Sequence, residues 1–407
     1  MYFFYYIPVG VDTDTRRFPA LTVFFAATCV LVFVFNRFLA SALPLDFGNL
    51  VYYPGFSGPI TALTSAFLHF GYVHLIGNLV YMLIFGWYLE DRLGPAWFAL
   101  LYLGSAMAGN LAQGWYNAHI LGIPPTGIIG ASGAVSGILG AFVIRLYAAR
   151  VRIAYWVFMP LQGYTRGGRA DVPVVFALAL WVLIQVGRGL VQLGGASANV
   201  AHVTHIVGFL VGIGLMLATG GLARGRVEAL RMRARRALRK ADAFGARDHL
   251  EHLAAACPED GEAHADLARV QIQTGDDLGA QANYLKACEM LLRSNQRGMA
   301  EDVFQEAVRG YPGFTLSAEP QLDLAFGLER NLKHEAALAA YRGFIRRFPR
   351  HEEAPFALLR AANIYARTLD DREQAASCYE RLIEEYPEDD WVEFAREQAR
   401  LFGAPAG

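Results

Sequence analysis

The chain has 407 residues, 54% hydrophobic and 18% charged, with a formal net charge of −1, long enough for two or three domains at ~100–200 residues each. That average hides a segregation: residues 1–222 hold 10 Lys/Arg and 6 Asp/Glu, residues 223–240 eight basic residues and one acid, and residues 241–407 18 basic and 30 acidic, a net of −12. The split excludes a single soluble globule, and four scattered cysteines (Cys29, Cys257, Cys288, Cys378) with no CxxC spacing exclude a disulfide scaffold. Nucleic acid is not an expected partner, because the one basic cluster directly follows an apolar helix and the remainder is acidic. The expected organisation is a membrane domain over 1–222, a basic juxtamembrane linker over 223–240 and a helical repeat domain over 241–407.

The N-terminus (MYFFYYIPVGVDTDTRRFP) reads as neither a signal nor a transit peptide: Asp12 and Asp14 sit among its charges and no small-residue cleavage site follows. A helix needs ~20 mostly apolar residues to cross a hydrocarbon core of ~30 Å. Six stretches meet that length, at roughly 20–42, 72–90, 95–116, 132–149, 172–190 and 199–220. A further apolar piece at 153–162, interrupted by Pro160 and Gly163, is too short to span. With six spans the two termini share a side, and that side carries Arg16, Arg17, Arg92, Arg145, Arg150, Arg152, Arg166, Arg169 and the run Arg224–Lys240. The opposite segments 43–71, 117–131 and 191–198 contain no Lys or Arg. The positive-inside rule therefore predicts cytoplasmic termini.

Depth locates the polar residues within the spans. At 1.5 Å rise per residue, Ser132 lies roughly 20 Å above the inner face, His205 roughly 22 Å, His74 roughly 24 Å and Asn78 roughly 18 Å. Polar groups in one buried layer default to a functional site. Gly133/Gly137 and Gly208/Gly212 are small-xxx-small steps that let the fourth and sixth spans approach closely, bringing Ser132 towards His205. A serine beside a histidine is the pair needed for nucleophilic catalysis. Ser132 also opens a helix, where backbone N–H groups are free to hold an oxyanion, and His74 and Asn78 share one face of the second span as further donors. Of the acids before residue 223 only Asp46 falls on the outer side, in a loop. A Ser–His dyad is expected, not a triad.

Gly130-Ala131-Ser132-Gly133, His69-Phe-Gly-Tyr-Val-His74-Leu-Ile-Gly-Asn78, His205-Ile-Val-Gly208-Phe-Leu-Val-Gly212 and Glu90-Asp-Arg92-Leu-Gly94 resemble, in this order, the nucleophile, second-span, last-span and capping motifs of the rhomboid intramembrane serine proteases. The resemblance covers roughly residues 7–220. It implies Ser132 as nucleophile, His205 as base, and His74 and Asn78 with the Ser132 N–H as oxyanion donors, acting on transmembrane protein substrates within a lipid bilayer. It implies no cofactor and no metal. Many rhomboids stack an aromatic on the catalytic imidazole one turn after the nucleophile; here that position is Ser136, so another residue must orient His205. The first outer loop also lacks the Trp-Arg pair of some members.

Alternatives at these residues are His202 as the base, one turn above His205, and His69 as a structural histidine tethering the outer loop. Glu90 and Arg92 read as an interfacial cap or ion pair. His69, His74, His202 and His205 lie on two spans but lack a carboxylate or thiol to complete a metal site.

Residues 241–400 read as short amphipathic helices with a repeat. Ala337-x3-Tyr341-x2-Phe344-Ile345-x2-Phe348-Pro349 recurs 38 residues on as Ala375-x3-Tyr379-x2-Leu382-Ile383-x2-Tyr386-Pro387, and, more weakly, 37 residues earlier from Ala300 to Pro312. This resembles the tetratricopeptide-type repeat, helix pairs that stack into a solenoid with a groove for a protein partner; a plain helical bundle is the alternative. The linker predicts a basic helix along the anionic inner leaflet or, equally, the end of the positive-inside signal.

The expected fold is thus all-α: a six-span rhomboid-like bundle followed by a cytoplasmic α-solenoid of TPR-like helix pairs, multi-pass in a bacterial cell (inner) membrane. The expected function is intramembrane serine proteolysis. A catalytically silent scaffold acting through its TPR-like domain is the alternative, and a six-span transporter a third reading.

Overall fold

The structure, a computed structural model, describes residues 3–39, 47–159, 164–193 and 201–403. Asp46, Pro160, Gly163 and most of the segment 191–198 lie outside the described residues. Two compact units divide the chain, residues 1–232 and 233–407.

In the first unit, strand β1 (Phe3–Val11) precedes α1 (Ala20–Val34), a short α2 (Pro59–Thr64), α3 (Tyr72–Tyr81), α4 (Trp87–Leu93), α5 (Pro95–His119) and α6 (Ser132–Arg145). Strands β2 (Arg150–Met159) and β3 (Tyr164–Pro173) follow, then α7 (Val174–Leu193), α8 (His202–Ala218) and α9 (Gly221–Arg239). Helices occupy all six positions expected to span. By length and apolarity, three qualify among the described residues: Ala20–Phe38, Tyr72–Leu93 (α3 and α4 joined by π-type turns) and Val174–Val191. A fourth counts only if α8 and α9, bent by 86°, are one span. α6 ends at Arg145, not 149, and its 14 residues reach only about 21 Å. There Arg145 donates to the Arg224 carbonyl at 3.1 Å, and its side chain lies 4.0 Å from the Glu228 carboxylate.

The fold is mostly helical rather than all-helical. β1, β2 and β3 form an antiparallel sheet in that order, with Tyr6 opposite Tyr155 and Arg152 opposite Asp171. Of the apolar piece expected over 153–162, residues 153–159 belong to the central strand, and 160–162 lie outside the described residues. Pro8, which cannot donate to a ladder, sits on the edge strand at a bulge between Pro8 and Gly10.

The unit's core gathers Phe25, Cys29, Met82, Phe85, Phe98, Tyr102 and Phe142, with Phe25 stacked on Tyr102 at 4.2 Å between centroids. Glu90 is 5% exposed and caps α1 across the chain: its carboxylate accepts from the Leu21 and Thr22 N–H groups and the Thr22 hydroxyl. Arg92 donates to Glu228, the one acid of the basic run, at 2.9 Å.

Among its described residues the second unit holds the remainder of α9, then α10 (Ala243–Ala256), α11 (Gly261–Gln273), α12 (Asp277–Arg293), α13 (Arg297–Gly310), α14 (Ala318–Arg330), α15 (His334–Arg347), α16 (Ala354–Arg367), α17 (Arg372–Glu385) and α18 (Val392–Gly403). Each packs on its sequence neighbours, the pattern of a repeat region whose units bury their faces against one another. The repeated small residues Ala300, Ala337 and Ala375 and the aromatics Phe304, Tyr341 and Tyr379 occupy equivalent places on α13, α15 and α17, all fully buried. The buried tyrosines still find partners for their hydroxyls: Tyr341 donates to Glu329 at 2.7 Å and Tyr379 to Asn363 at 3.0 Å. Left-handed backbone closes several helices, at Gly275 but also at Ala241, Asn295 and Leu332. There the following N–H returns to a carbonyl five residues back, as in a Schellman turn.

Candidate active site

The site is built on the contact between α6 and α8, the most extensive helix pairing of the first unit. The reason is steric. A β-carbon at Gly208 would collide with the Gly133 carbonyl, and one at Gly212 with the Gly137 carbonyl. A β-carbon at Gly140 would collide with the Phe209 carbonyl. The two backbones touch, as small-residue steps allow. A β-carbon at Gly133 would lie 2.8 Å from Thr204 Cγ2, so the first turn of α6, with Ser132, runs beside the first turn of α8, with His205.

Gly130 brings in the second span. It has φ +127°, a conformation open to glycine alone, and its N–H donates to the Ser65 carbonyl at 3.0 Å. A β-carbon there would lie 2.7 Å from His74 Cε1, 2.8 Å from His74 Nε2 and 3.8 Å from Ser132 Oγ. The His74 ring and the Ser132 hydroxyl therefore flank one backbone point. One turn after His74, Asn78 is 8% exposed, and its amide nitrogen has no acceptor among the described residues. α6 begins without a side-chain cap, so the N–H groups of its first turn are unclaimed by the helix.

His205 is held from α7. Gln185 Oε1 lies 3.0 Å from His205 Nδ1 and 3.1 Å from His202 Nδ1, and the Trp181 ring lies 6.1 Å from the His205 ring, tilted by 37°. Ser136 does not orient the imidazole; its hydroxyl donates to the Ser132 carbonyl at 2.6 Å. The N-terminus of α8 is fixed from α5: Gln113 Oε1 accepts from the Val203 N–H at 2.9 Å and the Thr204 N–H at 3.3 Å. Ser132 Oγ has no hydrogen-bond partner among the described residues, and catalytic bonds of a free site commonly close only with substrate.

His69 lies 5.1 Å from His74, ring to ring, just before the start of α3. Among the described residues no three His, Cys, Asp or Glu side chains converge as metal ligands. Sequence reasoning missed Gln185, Trp181 and Gln113. The available signal was polarity within an apolar span, which marks a functional side chain by default, and Gln185 carries it.

Residues 57–221 match the family model described as Rhomboid domain, and residues 356–389 the model described as Tetratricopeptide repeat. The chain is 40% identical over 85 residues to Rhomboid protein 1, mitochondrial, of Saccharomyces cerevisiae, covering 20% of this chain and 24% of that protein. It is 22% identical over 191 residues to RHOMBOID-like protein 12, mitochondrial, of Arabidopsis thaliana, covering 44% and 49%. It is 37% identical over 84 residues to YdcA of Bacillus subtilis, whose name proposes a rhomboid protease, covering 21% and 40%. The chain thus spans less than half the length of each of these relatives. Residues 57–221 are a rhomboid domain, joined in one chain to a C-terminal tetratricopeptide repeat.

Proposed function

We propose that the chain is an intramembrane serine protease that hydrolyses peptide bonds in or near transmembrane segments of other proteins. The observation that carries this reading is that the His74 ring and Ser132 Oγ both lie within 4 Å of the place a β-carbon at Gly130 would take, with Ser132 on a helix whose backbone touches the His205 helix. Ser132 Oγ attacks the scissile carbonyl carbon while His205 Nε2 takes its proton. The Ser132 N–H, His74 and Asn78 hold the oxyanion. Collapse breaks the C–N bond, the proton passes from His205 to the leaving amine, and water repeats the sequence to release the acyl group.

In this reading the six helices α1, α3–α4, α5, α6, α7 and α8 all cross the membrane, thinned or supplemented at α6 by adjoining chain. Both termini face the cytoplasm, with the arginine-rich α9 on the anionic leaflet, and the helical repeats form a solenoid that selects or regulates substrates by binding a protein partner.

The test is cleavage of a transmembrane substrate by the full chain in liposomes. Ser132→Ala and His205→Ala each abolish cleavage, and the double variant loses little more, because the pair acts as a unit. His74→Ala or Asn78→Ala lowers turnover about 10²–10³-fold with little change in apparent affinity. Cleavage that survives Ser132→Ala would overturn the dyad. Inactive His202→Ala beside active His205→Ala would move the base to His202. No cleavage by the wild-type chain of any transmembrane substrate tried would favour the scaffold reading.

A further inference from the structure

We infer that Gln185 is the positioning residue of the catalytic base: one amide oxygen, brought in by α7, fixes both His205 and His202 as Nδ1–H tautomers. The inference deepens the protease reading and rests on it for its kinetic consequence.

The geometry is specific. Gln185 Oε1 is within 3.0 Å of His205 Nδ1 and 3.1 Å of His202 Nδ1, and Gln185 is itself 8% exposed in a helix otherwise rich in exposed apolar side chains. A carbonyl oxygen has two lone pairs and no proton to give. Both ring nitrogens that meet it must therefore be the protonated ones. A neutral imidazole with its proton on Nδ1 leaves Nε2 as a lone pair, the form a base needs to receive the Ser132 proton. In a Ser–His–Asp triad the carboxylate supplies this orientation. Here a neutral amide does so, which explains how the base is oriented with no acid bonded to it among the described residues; a buried charge would be costly at membrane depth.

The same bond has a second consequence. Its acceptor belongs to α7 and its donors to α8, so displacement of α7 from α8 releases the ring and lets it take the other tautomer. The base is in its working form only while α7 is seated. Trp181, one turn before Gln185 and beside the His205 ring, marks the same seat.

The experiment uses the full chain in liposomes with 15N-labelled histidine. Ring-nitrogen shifts read the tautomer directly, His205 and His202 being assigned by difference from single variants. The wild-type chain shows Nδ1–H and a bare Nε2 at both. Gln185→Leu, which removes the acceptor, shifts His205 towards Nε2–H and lowers kcat by about 10–100-fold, the worth of one strong hydrogen bond, with KM unchanged. Gln185→Asn, which keeps a neutral amide acceptor one methylene shorter, retains more of the Nδ1–H form and of the rate than Gln185→Leu.

A wild-type His205 protonated at Nε2 overturns the proposal, since it means that the amide nitrogen and not the oxygen faces the rings. So does a Gln185→Leu chain with wild-type tautomer and kcat, or a Gln185→Asn chain with no more of the Nδ1–H form than Gln185→Leu. If Gln185→Leu also moves the His74 resonances, the site has been lost as a whole, and Gln185→Asn alone decides. The tautomer reading needs no turnover: a chain that cleaves nothing yet shows Nδ1–H at His205, dependent on Gln185, overturns the protease reading and supports this one.

Discussion

Glu90 Oε2 lies 2.7 Å from the backbone nitrogen of Thr22 and 2.7 Å from its hydroxyl, 68 residues earlier in the chain. One carboxylate thus satisfies the start of α1 from the far end of the α3–α4 helix. Its partners are buried, so removing it leaves donors with no water to turn to.

Glu90→Ala is therefore expected to destabilise the first unit by about 2–4 kcal/mol, seen as a lowered unfolding midpoint in detergent. Asp171→Asn, which disturbs only the exposed pair with Arg152, should stay within about 0.5 kcal/mol. Equal effects of the two would remove Glu90 from its structural role.

The contact of α6 with α8 gives a controlled comparison on a single helix. Gly212→Ala drives a methyl into the Gly137 carbonyl, whereas a β-carbon at Gly214 meets nothing within 4 Å. Gly212→Ala should cost about 1–3 kcal/mol, the range for overpacking, and Gly214→Ala close to nothing or a slight gain from helix propensity. Thermal unfolding of the two proteins side by side decides it.

Division of labour between the two units is also testable. All four residues assigned to the reaction lie at or before His205, so a chain ending after residue 240 should still cut a generic transmembrane substrate in liposomes. What it should lose is discrimination among substrates that carry a recognition tail. A folded truncation without any activity would make the repeats part of the catalytic machine.

In the second unit, Glu306 accepts from Arg269 at 2.8 Å and from Tyr284 at 2.9 Å. Burial acts to raise its carboxyl, but the bonds from Arg269 and Tyr284 outweigh it and hold the group below its ordinary value. A depressed folded-state value means stability that is present above the unfolded value of about 4.3 and is lost as pH falls through the folded one. Amide protection factors in α12 and α13, taken against the intrinsic exchange rate at each pH, should fall on acidification below that range, and Glu306→Gln should be weaker at neutral pH while losing less on acidification. A variant with the wild-type pH profile would show that other carboxylates carry the effect.

Much of this was legible in the sequence, for reasons that differ by element. The repeats on α13, α15 and α17 were readable because packing fixes a small residue and an aromatic four positions apart in every unit. Gly133, Gly137, Gly208 and Gly212 were readable because backbone contact tolerates nothing larger. The sheet was not. An apolar run of eight or nine residues such as Phe3–Val11 does not declare its period, and β3, with Gly167, Gly168 and alternating charges, has no buried face to report. Gln185 was not placed either, since a neutral amide on α7 has no sequence spacing to α8; only the fold brings it to His205.

The left-handed turns that close α9 and α14 hold a different kind of information. Ala241 and Leu332 adopt φ 57° and 60°, at positions where the Schellman turn after α11 uses Gly275. A side chain there strains the backbone by about 1 kcal/mol or more, and Leu332 is 75% exposed, so it recovers little by packing. The helical repeats thus run below the stability their architecture permits. The headroom sits in two junctions of the second unit, outside the unit that carries the proposed chemistry, where glycine would raise it without changing a site residue.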